Sequence, residues 1–335
     1  MWSKSVELQG RAMISIVVPA YNEERNLDVL YARLLGQLDK LRLHWELVIV
    51  DDGSPDGTWN TIMRLSERDS RVRGVRLSRN FGHQNALLAG LAAARGKAVI
   101  SMDADLQHPP EVVPQLVERW QDGYQIVHAL RRDPPSVPFF KRLTSKLYYR
   151  LFSYLSGVEI QPGAADFRLI DRQVLDEILQ FKEEGMFLRG IVHWVGYATT
   201  SVMFDCSKRH AGKSGYNLRK MLSLAWHGVS SFSLVPLRIA MGIGLLSSMV
   251  ALLGVLYAIL GKWLDKEAIP GWASTVAIVS FLFGVLFVFL AVLAEYVGRI
   301  VVEVRGRPRF LVRETTRAVR AAAEPRRASS DSFDG

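Results

Sequence analysis

The sequence predicts an α/β domain built on a mostly parallel sheet with helices on both faces, followed by a two-helix transmembrane hairpin. Three observations carry that expectation. From residue 13 to about 210, short apolar runs alternate with polar stretches of helical spacing, the pattern of strand–helix–strand units. The apolar runs are nearly continuous, as in strands buried on both faces. Further along, residues 239–260 and 272–294 carry no charge. Each run is long enough to cross ~30 Å of hydrocarbon, which takes about 20 residues.

The elements follow in order. "MISIVVPAY" is a strand, and "EERNLDVLYARLLGQLDKL" has its apolar residues at helical spacing. "WELVIVDDGS" is a second strand and "GTWNTIMRLSERD" a second helix. "VRGVRLSRN" is a third strand, and "GHQNALLAGLAAARG" a third helix closed by Gly96. "AVISMDAD" is a fourth strand that ends in acids. "LTSKLYYRLFSYLSG" and "SLAWHGVSSFSLVPLR" mix aromatic and basic residues at helical spacing and suit helices lying on a bilayer surface. The expected bounds are an α/β domain over 1–230, with interfacial helices near 140–157 and 217–232. Two spans fall within 234–298, at about 236–261 and 272–295. A basic tail over 299–335 ends in a polar stretch with no pattern for a core.

Charge orients the hairpin. Lys208, Arg209, Lys213, Arg219, Lys220 and Arg238 precede it, and Arg299, Arg305, Arg307, Arg309 and Arg313 follow. The link "GKWLDKEAIPGW" is short and balanced, and Trp263 and Trp272 sit where interfacial aromatics belong. The positive-inside rule then puts the large domain and both termini in the cytoplasm, at the inner membrane. Two buried helices of a soluble core would be the alternative, but such runs in tandem are rare in soluble chains.

Composition narrows the function. The net charge is +9, from 42 basic and 33 acidic residues. The positive residues cluster around the spans, which favours lipid or phosphate ligands and argues against nucleic acid. Cys206 is the single cysteine, so neither an intrachain disulfide nor a cysteine zinc site can form. "MWSKSVELQG" has no apolar core, so no secretory peptide is expected. The G-x-G-x-x-G fingerprint is absent after the first strand, and the G-x-x-x-x-G-K loop is absent too.

The acids are the chemical signal. Ligands of open parallel sheets bind beyond the carboxyl ends of the strands. Asp103, Asp105 and Gln107 lie two apart at such an end. In extended chain, residues two apart face one way, so their oxygens are expected to converge. Hard oxygen ligands suit Mg2+ or Mn2+, with substrate phosphates completing the shell. A lone Asp-x-Asp is common by chance, but here two other strands also end in polar groups: Tyr21, Asn22 and Glu23 after the first, and Asp51, Asp52 and Asp56 after the second. Gly53 and Gly57 permit tight turns there. His83 opens the third helix and is a candidate for ligand contact, whereas His108, before a Pro-Pro pair, reads as a turn residue.

"SIVVPAYNEE", "LVIVDDGSPDGT", "LSRNFGHQNALLAG", "MDADLQHPPE", "ADFRLIDR" and "RHAGKSGYNLRKML" together resemble the family-2 inverting glycosyltransferases of GT-A fold. Within these they look most like the polyprenyl-phosphate glycosyltransferases, a group that includes dolichol-phosphate mannose synthases and the bacterial enzymes that load glucose or aminoarabinose onto undecaprenyl phosphate. The resemblance spans roughly residues 13–310. It implies that Pro19, Ala20, Tyr21, Asn22, Glu23, Asp51 or Asp52, Asp103 and Ala104 hold the nucleotide sugar. It implies that Asp103, Asp105 and Gln107 hold Mg2+ or Mn2+. Arg131 would meet donor or acceptor phosphate, and Asp166 and Arg168 would stand near the sugar. Arg168, Arg209, Lys213, Ser214 and Tyr216 would meet the lipid phosphate, with Asp166, Arg131 and Arg209 as the catalytic set. The late motif reads Ser214-Gly215-Tyr216 after Lys213, where many relatives read Ser-Lys-Tyr.

The implied reaction moves a hexose from UDP-glucose or GDP-mannose to undecaprenyl or dolichyl phosphate, inverting the anomeric carbon to a β-linked product. A phosphate monoester with second pKa ≈ 6 is already largely dianionic at neutral pH, so it hardly needs a general base. Asp166 is then expected to orient acceptor or sugar. An amino-sugar donor, or a glycan or protein acceptor, is the alternative. Relatives of this two-span type can form tetramers, which makes self-association an expectation.

Overall fold

The computed structural model describes residues 13–41, 43–132, 164–181, 188–205 and 271–316, with isolated positions between 237 and 256. The chain divides into two compact units. The first comprises Met1–Arg150, Glu159–Gly215 and Pro308–Gly335, and the second Leu151–Val158 and Tyr216–Arg307.

The first unit is a mixed α/β sheet of the Rossmann-like kind. Its strands are β1 (Met13–Ala20), β2 (His44–Asp51), β3 (Val72–Leu77), β4 (Ala98–Ser101), β5 (Ile126–Arg131), β6 (Ala164–Asp171), β7 (Thr199–Phe204) and β8 (Val312–Thr315). They form one sheet in the order β7-β5-β6-β4-β1-β2-β3-β8. The four strands read from the sequence are the central parallel ones, with Ile16 opposite both Leu47 of β2 and Ile100 of β4. Their β-branched runs are buried on both faces, which is why they show no alternation. Two strands run backwards. β6 lies antiparallel between β4 and β5, and β8 lies antiparallel on the outer edge of β3.

Helices supply the crossovers that parallel strands need. α1 (Glu24–Leu38) buries Leu27, Leu30, Tyr31, Leu34 and Leu38, one stripe at helical spacing, and Glu24 sits at its positive N-terminal end. α2 (Thr58–Arg68) and α4 (Val113–Gln121) pack beside it, and their apolar residues join one core with Ile14, Ile16, Leu47, Ile49 and Phe167. α3 (His83–Ala93) packs against β1 and β2 and touches α5 (Arg172–Gln180). α3 is apolar nearly all round, because small residues let it sit close to the sheet. A Cβ on Gly90 would stand 2.3 Å from Val17 Cγ1 and 2.9 Å from Val50 Cγ2. α6 (Leu188–Trp194) precedes β7.

In the second unit the helix Trp272–Arg305 is long and apolar enough to cross a membrane, and its spanning window is not buried by protein. It continues well past residue 295, where the second span was expected to stop, and closes on Gly306 in the left-handed conformation. Of the first expected span, the described residues include only a shorter apolar helix over Met241–Gly254. The expected interfacial helices lie outside the described residues. The segment expected to be a basic tail differs most: residues 312–315 are a strand of the catalytic sheet. The arginines around them had hidden a β-branched stretch, "FLVRETT".

Because Val17 and Val50 are stiff and buried, Gly90→Val should overpack the α3–sheet contact and lower unfolding stability by about 1–3 kcal/mol. Denaturant unfolding of the purified protein in detergent checks this.

Candidate active site

The sheet places a set of acids at one edge. β1, β2 and β4 end there, and β6, running backwards, begins there. After β1 the chain turns sharply at Asn22, which has φ 59°. Its N–H donates to Ser54 Oγ at 3.1 Å, and the Glu23 N–H donates to Thr58 Oγ1 at 3.0 Å. Tyr21 and Asn22 are exposed, whereas Ala20 is buried within β1.

The two acids after β2 build the edge from inside. Asp51 is fully buried, and its Oδ1 accepts the Ser54 N–H at 2.9 Å. Asp52, also buried, accepts Phe81 N–H at 2.7 Å and Gly82 N–H at 3.0 Å, fixing the start of α3. Burial pushes the Asp52 carboxyl up from its ordinary range, and those two N–H bonds oppose the shift. Gly53, at φ +68°, backs onto Arg79 and Asn80 where a Cβ would clash at 2.5 Å.

β4 stops at Ser101, so the Asp-x-Asp segment is a loop rather than extended chain. Leu106 has φ 64°, and Asp105 Oδ1 accepts the Gln107 N–H at 3.1 Å. The convergence expected from two-residue spacing therefore does not operate here; a turn places Gln107 instead. His108 is buried and not a loose turn residue. Its Nδ1 accepts the Asp103 N–H at 2.9 Å while its ring stacks on Phe167 at 5.0 Å. Ala104 is buried with it.

β6 brings in Asp166. Ser101 Oγ donates to the Asp166 carbonyl at 2.5 Å, locking β6 to β4. The Asp166 carboxylate is almost wholly enclosed. Oδ1 takes Arg168 Nη2 at 2.8 Å, and Oδ2 takes Gln84 Nε2 at 3.1 Å. His83 stands between the Asp103 loop and β6, with Nε2 3.4 Å from Asp103 Oδ1 and 3.5 Å from Asp166 Oδ2. Arg168 is only 1 % exposed, so its guanidinium serves Asp166 rather than facing solvent. Arg131 ends β5 at the same edge and is exposed. Arg209, Lys213, Ser214 and Tyr216 lie outside the described residues.

The donor set fits a hard cation. Among the described residues no three His, Cys, Asp or Glu side chains form a metal cage. Mg2+ and Mn2+ do not need one, since one or two carboxylates and the substrate's phosphates suffice. Asp103 Oδ1 is buried and accepts no hydrogen bond among the described residues, with His83 Nε2 3.4 Å away, and it is an oxygen suited to such a charge.

Sequence reasoning missed the support beneath Asp166. His128 of β5 is buried opposite Arg168 and stacks on His193 of α6 at 4.8 Å. Burial, then Arg168, then His193 push the His128 imidazole down to about 3. Nothing in a run such as "IVHALR" marks its histidine as buried beside a cation.

At this end of a Rossmann-like sheet an Asp-x-Asp loop meets a buried Asp–Arg pair through His83, and the chain's relatives make it a glycosyltransferase. The chain belongs to glycosyl transferase family 2, whose model matches residues 15–179. It is 40% identical over 299 residues to an uncharacterized glycosyltransferase of Synechocystis sp., covering 89% of this chain and 94% of that protein. It is 37% identical over 304 residues to the SfII prophage-derived bactoprenol glucosyl transferase of Shigella flexneri, covering 91% of this chain and 98% of that one. Among solved structures it resembles glucosyl-3-phosphoglycerate synthase from Mycobacterium tuberculosis at 22% identity and TM-score 0.45, over 66% of this chain and 77% of that chain.

A histidine neutral in the fold but protonated when unfolded makes stability fall as pH drops below about 6.5. At pH 5 its share of that loss is on the order of 2 kcal/mol. His128→Phe keeps a ring against His193 and should shrink the difference in denaturation midpoint between pH 7.5 and pH 5 accordingly. An unchanged pH dependence would contradict the assignment.

Proposed function

We propose that this protein transfers a glucosyl residue from a nucleotide sugar to a polyprenyl phosphate of the bactoprenol kind, at a membrane, with inversion and with help from a divalent cation. The observation that carries the proposal is the meeting of Asp103, His83 and Asp166 at one sheet edge, in a chain aligned over 91% of its length with a bactoprenol glucosyl transferase.

The roles follow from position. Tyr21 and Asn22 form an exposed lip for the base and ribose, over a floor held by Asp51 and Asp52. Asp103 and Asp105, with Gln107, hold Mg2+ or Mn2+, which when bound neutralises the leaving diphosphate. So many carboxylates would otherwise repel a diphosphate. A phosphate oxygen of the lipid attacks the sugar's C1 as the bond from C1 to the diphosphate oxygen breaks from the opposite face, giving a β-linked product from an α-linked donor. The acceptor already carries its negative charge, so no proton need be removed. Asp166, pinned by Arg168 and Gln84, orients the reacting sugar or acceptor. Arg131, Arg209, Lys213, Ser214 and Tyr216 receive the acceptor phosphate.

Chain connectivity supports the membrane arrangement. Only residues 306–311 separate the end of the long helix from β8 in the catalytic sheet. A helix crossing the bilayer must therefore return its C-terminal end to the catalytic side, and a preceding span over residues 239–260 satisfies that. Positive-inside bias makes this side cytoplasmic.

Detergent-purified protein, incubated with undecaprenyl phosphate, Mg2+ or Mn2+ and radiolabelled UDP-glucose, should carry label into the organic phase. Chelator, or Asp105→Ala, should lower transfer by roughly a hundredfold or more, the scale of a lost metal contribution. Label that stays aqueous with UDP-glucose under both metals would contradict the proposed donor or acceptor, and transfer from GDP-mannose alone would replace the sugar.

A further inference from the structure

We infer that β8, the strand following the long apolar helix, is a positioning element for the nucleotide corner of the site, acting through Glu314 and Arg76. The inference rests on the proposal above that a nucleotide binds at the ends of β1 and β2.

The connection is a continuous relay of polar contacts. Glu314 Oε1 accepts from Arg76 Nη1 at 2.9 Å. Arg76 Nε lies 3.2 Å from Asp51 Oδ2, an ion pair by distance that is not aligned as a hydrogen bond, and its guanidinium sits over the Trp59 ring at 5.8 Å. Asp51 is fully buried, and its other oxygen holds the Ser54 N–H at 2.9 Å. Ser54 Oγ in turn holds the Asn22 N–H at 3.1 Å. Asn22 needs that support, because its backbone is left-handed with φ 59°. A second arm runs through the backbone. Leu311 O accepts the Ser78 N–H at 2.8 Å, just ahead of the loop whose Phe81 and Gly82 N–H groups bind Asp52. The strand is anchored rather than loosely apposed. Gly74 N–H donates to Thr316 Oγ1 at 3.1 Å, Thr316 N–H returns to Gly74 O at 3.1 Å, and Thr316 is buried.

Within the sheet β3 would otherwise be an open edge, and covering it could be the whole purpose of β8. A mere cover would not need Glu314 opposite Arg76, nor an arginine shared between that glutamate and a buried aspartate beneath the donor lip. Arg76 has two carboxylates to satisfy, Asp51 inside and Glu314 outside. Without Glu314 the guanidinium is free to follow solvent, and Asp51 keeps a buried charge with a wandering partner. The consequence falls on the Ser54–Asn22 turn and so on donor affinity, not on the reacting centre at Asp166.

The test compares full-length wild type with Glu314→Ala and the conservative Glu314→Asp, measuring UDP affinity by titration calorimetry and both KM values with kcat. Glu314→Ala should weaken UDP binding and raise the donor KM by about fivefold, the upper range of a partly exposed ion pair. Its kcat and lipid-phosphate KM should stay near wild type, and Glu314→Asp should recover part of the donor affinity. Unchanged UDP affinity in a folded Glu314→Ala, or equal losses in kcat and in both KM values, would overturn the positioning role and leave the proposed function standing. Should Glu314→Ala fail to fold, Arg76→Lys gives the same reading, because it keeps the charge but cannot bridge both carboxylates. Wild type that binds no UDP would overturn the functional proposal itself.

Discussion

The structure depends on one reversed strand. β6 enters the sheet antiparallel between β4 and β5, so its first residues lie at the same edge where β1, β2 and β4 end. Ser101 seals that junction by donating to the Asp166 carbonyl. Without the reversal, Asp166 and Arg168 would lie at the opposite edge, away from Asp103. With it, a buried Asp–Arg pair faces the Asp-x-Asp loop, and His83 bridges the two from the start of α3.

The edge is braced from inside by buried polar groups. Asp51 Oδ1, both oxygens of Asp52 and His108 Nδ1 accept backbone N–H groups of the loops around them. Buried carboxylates and imidazoles are costly unless fully bonded, so each of these bonds fixes a loop conformation as well as satisfying a charge. The side chains left nearer the crevice, Tyr21, Asn22, His83 and Asp103, are thereby carried on a preorganised rim. His128 plays the matching part beneath Arg168, where an imidazole kept neutral by burial and stacked on His193 avoids adding a second buried positive charge.

Much of this was legible in the sequence, for a physical reason. The parallel strands β1 to β4 and their helices are local patterns of burial, and each shows as periodicity or as a continuous apolar run. The acids stand at strand ends, where fold class alone says ligands bind. What was not legible depends on long-range pairing. "AADFRLID" does not reveal that it will run backwards beside β4, and its importance came from resemblance rather than periodicity. "LVRET" is short, charged and downstream of a membrane-like run, so it read as a tail although it completes the sheet beside β3. The Asp-x-Asp geometry was misread because extended-chain spacing was carried past the point where the strand ends at Ser101.

The central claim is that the edge formed by β1, β2, β4 and β6 is where a nucleotide and its cation bind. The most direct measurement is a structure of the full-length protein with UDP and Mn2+, with the metal located by its anomalous signal. The account predicts manganese on the Asp103–Asp105 loop, the diphosphate beside it, and the base against Tyr21 and Asn22. Manganese and nucleotide on any other surface would contradict it.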